Sequence, residues 1–179
     1  MKNWIFILTI LTIVTIGVNC VNFSNKAHAD DGTTSQDQIL TGADQLDKYL
    51  PYLKGKRVAM LANQTTIVGK THLVDTLRSR GVNIVKVFGP EHGFRGKASA
   101  GVQVADETDP DTGIPVISLY GKKNKPTKED LADVDILIYD LQDVGVRFYT
   151  NINALSRLME ACHDSDKELL ILDRPNPNG

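Results

Sequence analysis

The segment FGPEHGFRG (88–96) sets a carboxylate, an imidazole and a guanidinium, from Glu91, His92 and Arg95, on a loop softened by glycines. DLQDVGVRFYTN (140–151) adds Asp140, Gln142, Asp143, Arg147 and Tyr149, and DRPNPNG (173–179) adds Asp173, Arg174 and Asn176. Asn63 and Gln64 open a further polar stretch, NQTT (63–66). Amides, carboxylates and guanidinium groups fork hydrogen bonds to adjacent hydroxyls, and Tyr149 or Phe148 can face a ring, so the set suits a neutral, hydroxyl-rich ligand such as a sugar. It also suits glycoside hydrolysis, in which one carboxylic acid in an apolar setting protonates the leaving oxygen and a second carboxylate acts as nucleophile or base. Glu91, approached through the rigid Pro90, fits the acid. Asp140 or Asp143 fits the second role, with Asp173 behind them. Metal-assisted phosphoester hydrolysis by the same aspartates is the competing chemistry.

Each residue also has a structural reading. Asn63 and Asp173 can cap turns or helices, and Arg147 and Arg174 can pair with Asp140 or Asp143. His92 has no second histidine at helical spacing: His28 lies in the N-terminal signal segment, His72 at a helix start and His163 near a helix end. No zinc ligand set with usual spacing is present. Neither a G-x-G-x-x-G fingerprint nor a Walker sequence follows the first apolar run, so no metal or nucleotide cofactor is expected.

What positions these groups is an alternation of elements. RVAMLAN (57–63), NIVKVF (83–88), IPVISLY (114–120), DILIYDL (135–141) and ELLILD (168–173) are short apolar runs of the kind that form strands buried on both faces. Helical patterns lie at 71–81, at 127–134 with Thr127 as cap, and at 152–165; a shorter one, GADQLDKYL (42–50), precedes the first strand and stops before Pro51. Strand-helix alternation gives an open, mostly parallel, doubly wound α/β sheet with helices on both faces. Ligands bind such sheets outside the carboxyl ends of the strands, and every chemistry-bearing segment above follows a strand. The last strand runs into RPNPNG with no helix to cover it, so the 179 residues read as the front part of a longer protein.

The first 29 residues read as a secretory signal peptide: Lys2, an uncharged apolar stretch from Trp4 to Val18, then AHA (27–29) before Asp30. That stretch is 15 residues long, short of the ~20 a spanning helix needs, so no stable membrane anchor is expected after cleavage. Cys20 follows it, but Asn19 stands where a lipoprotein signal needs a small residue. A flexible leader (30–42) then precedes one domain (43–179) large enough for a real core. The net charge of −2, made more acidic by loss of Lys2 and Lys26, argues against a nucleic-acid partner. Cys162, within a helical pattern, reads as a small buried apolar residue.

FGPEHGFRG, TGIPVISLYGKKNKPT, DLQDVGVRFYT and LDRPNPNG together resemble, in order and spacing, the exo-β-N-acetylmuramidase family of exported peptidoglycan hexosaminidases. The resemblance runs from about residue 40 to the end. It implies a Rossmann-like N-terminal catalytic domain with a smaller C-terminal domain beyond it, the latter missing here. It implies release of N-acetylmuramic acid from the non-reducing ends of muropeptides or disaccharides, outside the cell and at the wall. Glu91 falls on the family's proposed catalytic acid, and His92, Arg147, Tyr149 and the acids of DLQD fall on its other motif positions. The muramic acid carboxylate then needs a cation, for which Arg147 or Arg95 is the expectation. The family pattern carries a second aromatic after FYT, where this chain has Asn151. A wall-glycan-binding module without turnover is the alternative.

Overall fold

The computed structural model describes residues 39–96 and 105–178. The expected signal peptide and most of the leader lie outside the described residues. The five apolar runs form five strands: β1 (Arg57–Ala62), β4 (Asn83–Gly89), β6 (Pro115–Ser118), β7 (Ile136–Asp140) and β8 (Glu168–Ile171). All pair in parallel, in the order β6-β4-β1-β7-β8. Two features were not legible in the pattern. A two-residue strand, β5 (Glu107–Thr108), adds antiparallel to the outer edge of β6, and β2 (Ile67–Val68) and β3 (Thr71–His72) form a small hairpin after β1.

Alternation along the central strand builds two cores. Val58, Met60 and Ala62 point to one face, where Tyr49 and Leu53 of α1 (Leu46–Leu53) and Leu73, Val74 and Leu77 of α2 (Leu73–Ser79) cover them. Ala59 and Leu61 point to the other, against Leu158, Ala161 and Cys162 of α3 (Asn151–Asp164) and Leu131 and Val134. β7 alternates likewise, Ile136 and Ile138 against Leu137 and Tyr139. Both faces are therefore apolar, which is why these strands read as continuous runs. Cys162 is buried, and burial pushes its thiol up to about 11.

The segment 127–134, expected as a helix, is a run of turns. Thr127 and Asp130 exchange the backbone bonds of a cap, Asp130 N–H to Thr127 Oγ1 at 3.2 Å and Thr127 N–H to Asp130 Oδ2 at 2.8 Å. The Asp130 carbonyl then accepts from Lys86 Nζ of β4 at 2.7 Å, and Val134 N–H bonds three residues back to Leu131. A helix would have needed that carbonyl for Val134. The first helix also differs from the sequence pattern. Reciprocal bonds between Thr41 and Asp44 form a turn, α1 starts after it, and the helix runs through Pro51 because Tyr49 and Leu53 are both buried. Thr41 and Gly42, at the end of the expected leader, are tied down, with Gly42 N–H donating to the Asp173 carbonyl at 2.7 Å.

His72 caps α2 and locks it to β1. Its Nδ1 accepts from Val74 N–H at 3.3 Å and its Nε2 donates to the Asn63 carbonyl at 3.0 Å, which fixes the neutral tautomer. Burial lowers its pKa below 6.5. The unfolded ring takes a proton near pH 6.5 and the folded ring resists it, so stability present above that pH is lost as pH falls toward the folded value. Thermal melts between pH 7.5 and 4.5 will show this loss, and His72→Gln will flatten the part of it that His72 supplies.

Candidate active site

Chain order along the sheet reverses between β1 and β7. β4 and β6 step outward from β1 on one side, and β7 and β8 lie on the other. The carboxyl ends of strands near such a reversal frame a crevice, and two cavities lie there. One, of about 380 Å³, is lined by Leu61, Pro90, Glu91, Leu119, Tyr120, Gly121, Asn124, Thr150, Asn153, Ala154 and Arg157. The other, of about 300 Å³, is lined by residues that include Asn63, Gln64, Glu91, His92, Gln142, Phe148, Tyr149 and Asn151. Pro90, Glu91 and Thr150 line both, so the Glu91 carboxylate stands between them.

Glu91 is held by a turn. Gly93 N–H donates to the Pro90 carbonyl at 2.9 Å, which makes Glu91 and His92 the two central residues. His92 has φ of 71°, a left-handed conformation normally left to glycine. Pro90 fixes the approach, and on the far side Phe94 is buried with its ring edge-on to His72, centroids 4.7 Å apart. Tyr120, two residues past β6, donates its hydroxyl to Glu91, and that bond raises the phenol above its ordinary pKa.

The NQTT segment is a clasp. The Asn63 side-chain oxygen accepts from Thr65 N–H at 2.8 Å and from Thr65 Oγ1 at 2.7 Å. Thr65 Oγ1 in turn accepts from Gln142 N–H at 3.2 Å, and Thr66 Oγ1 donates to the Asp140 carbonyl at 2.5 Å. Gln64 is left facing the cavity, so close to Gly96 (φ 67°) that a Cβ there would lie 2.9 Å from Gln64 Cβ.

The structure brings Asn63, Gln64, Glu91, His92, Gln142 and Tyr149 together and places the other sequence candidates elsewhere. Asp140 is fully buried beneath the edge, its two oxygens bound by Arg174 Nε at 2.5 Å and Nη2 at 2.9 Å. Burial pushes its carboxyl up while Arg174 pulls it down. Asp143 accepts from Gly145 N–H at 2.7 Å in its own turn. Arg95 is committed to two carboxylates, Asp75 at 3.0 Å and Asp109 at 2.9 Å. Burial would raise the Asp109 carboxyl, but bonds from Arg95 and Thr112 outweigh it and hold the pKa low. Arg147 and Asp173 are exposed and line neither cavity, and Asn176 abuts Gly145. Asn151, where the family pattern has an aromatic, donates to the Gln142 carbonyl at 2.7 Å, and its own carbonyl accepts from Tyr139 Oη at 3.1 Å. Tyr120, Asn124, Asn153 and Arg157 line the site and were not among the sequence candidates. The only signal for Tyr120 was its place at the end of a strand. Among the described residues no group of three or more His, Cys, Asp and Glu is placed to hold a metal ion.

The N-terminal family model of the exo-β-N-acetylmuramidase NamZ matches residues 58–179. The chain belongs to this family. It is 44% identical over 150 residues to the peptidoglycan β-N-acetylmuramidase NamZ of Bacillus subtilis (strain 168), a match covering 82% of this chain and 36% of that protein. Crystal structures of two DUF1343 family proteins from Bacteroides fragilis NCTC 9343 superpose with TM-scores of 0.67 and 0.66. Their identities are 46% and 44%, covering 78% and 76% of this chain and 35% of each of theirs. The chain thus spans about a third of the length of the relatives it matches. Their likeness confirms the parallel α/β architecture that the resemblance implies.

Two outcomes test the local physics. Arg174→Ala strands a fully buried carboxylate and will cost about 3–5 kcal/mol, read as a lower denaturation midpoint. His92→Gly relieves the left-handed strain and will leave stability unchanged or raised by about 1 kcal/mol in the same measurement.

Proposed function

We propose that this chain supplies the acid-base half of an exo-acting glycosidase that releases N-acetylmuramic acid from the non-reducing ends of peptidoglycan fragments. The observation that carries the reading is the position of Glu91, held on a braced turn between two cavities at the carboxyl edge of the sheet. Membership of a family named for this activity, and the name of the Bacillus subtilis relative, support it. The charge and apolar pattern of the first 29 residues support export and a site of action at the wall, with wall-derived glycan as the partner.

Glu91 is the one carboxylate that lines either cavity among the described residues. Asp140, Asp143 and Asp173 all lie outside them. A pair of catalytic carboxylates is therefore not what this half of the cleft offers, and the substrate's own acetamido group is the nucleophile the reading favours. Glu91 gives its proton to the glycosidic oxygen as the C1–O bond breaks, and the acetamido oxygen bonds to C1. Water then attacks C1, the acetamide is restored, and Glu91 takes up the proton that the water loses. The configuration is retained.

The experiment is hydrolysis of a chromogenic β-glycoside of N-acetylmuramic acid, with the first-formed anomer followed by NMR. Glu91→Gln is expected to fold normally and to lose about 10²–10⁴-fold in turnover, and the wild type is expected to release the β-anomer first. Undiminished turnover by the variant removes Glu91 from the chemistry. First release of the α-anomer replaces the acetamido group with direct attack by water. Wild-type protein that retains the glycan without cleaving it leaves a binding module.

A further inference from the structure

Arg157 is the only cationic side chain lining either cavity among the described residues, and it shares the larger one with Glu91. Thr150, Asn153, Ala154 and Arg157 follow the spacing of a single helix face, so the first turns of α3 form that wall. The nearby acid on the same helix is already taken: Glu160 pairs with Lys125 Nζ at 2.7 Å. No ion pair or hydrogen bond engages the Arg157 guanidinium among the described residues, whereas Arg95, the cation nearest to Glu91 in sequence, is saturated by Asp75 and Asp109. The cavity's volume of about 380 Å³ falls in the range of small-molecule sites, roughly 300–1,000 Å³.

We propose that Arg157 is the specificity residue for the substrate's carboxylate: the larger cavity takes an acidic amino sugar, with its carboxylate on the Arg157 guanidinium and its glycosidic oxygen toward Glu91. The assignment rests on the glycosidase reading above. N-Acetylmuramic acid differs from N-acetylglucosamine by a lactyl ether that ends in a carboxylate. A guanidinium in the same cavity as Glu91 is the group that would tell the two apart. A planar fork donates two parallel hydrogen bonds to a carboxylate, and such charge-assisted bonds are stronger than neutral ones. An otherwise unengaged guanidinium gives up no existing ion pair to make them.

The test is a binding titration of the protein with N-acetylmuramic acid, its neutral methyl ester and N-acetylglucosamine, run beside the hydrolysis assay. Wild-type protein is expected to prefer the acid to the ester. Arg157→Ala is expected to weaken the acid by roughly ten- to a hundredfold and to leave ester and N-acetylglucosamine unchanged, so that acid and ester bind alike. Arg157→Lys is expected to restore part of the preference. Arg157 is exposed, and an unchanged melting temperature will show that the variants fold. An equal loss on all three sugars, or an unchanged acid-to-ester ratio, overturns the assignment while wild-type turnover leaves the glycosidase reading standing. Wild-type protein that neither cleaves the glycoside nor distinguishes acid from ester overturns both.

Discussion

The buried pair between Asp140 and Arg174 is the constraint on which the functional edge rests. Asp140 ends β7 with no exposure to solvent, and a carboxylate in that position is tolerable only with a geometrically good partner. Arg174 supplies two bonds to it and a third to the Ile67 carbonyl of the hairpin, at 3.1 Å. Thr66 then bonds the Asp140 main chain. The ends of β1, β7 and β8 are thereby joined under the cavities by polar contacts that have one satisfactory arrangement. An apolar plug could have sealed the same place, but it would not have fixed the register of three strand ends.

The sequence was most readable where one physical rule acted alone. Five strands stood out because burial on both faces leaves a run of apolar residues with no alternation. The failures came where contacts distant in sequence decided local structure. Lys86, some forty residues upstream, takes the Asp130 carbonyl and turns a helical pattern at 127–134 into turns. β5 is two residues long and has no periodicity to read.

The site divides the same way. That the polar segments would share one edge followed from the parallel alternation of strands and helices, and Glu91 followed from Pro90 and the glycines. Which aspartates and arginines would be structural did not follow. Asp140 and Arg174 carry the same side chains whether they bind a ligand or each other, and only their separation in space decides. Arg95 was similarly ambiguous until Asp75 of α2 and Asp109 beside β5 closed on it. Tyr120 and Arg157 line one cavity because the segment after β6 and the first turns of α3 both border it, which no window of sequence contains.

Glu91 lies on no helix or strand, yet the role proposed for it requires a carboxylate held to within a fraction of an ångström of its working position. The loop is fixed instead from its two ends. Pro90 restricts one side. On the other, Phe94 is buried against His72, and Arg95 lies 4.5 Å from the Phe94 ring centroid while it binds Asp75. Both His72, which caps α2, and Asp75, in its first turn, belong to the start of that helix. The start of α2 is thus the mount for the turn that carries Glu91, and the strain at His92 is sustained by contacts two residues further along the chain. Changes at His72 or Asp75 reach Glu91 through Phe94 and Arg95 without touching either cavity. This is the physical reason that the fold can carry Glu91 on a loop and still hold it in place.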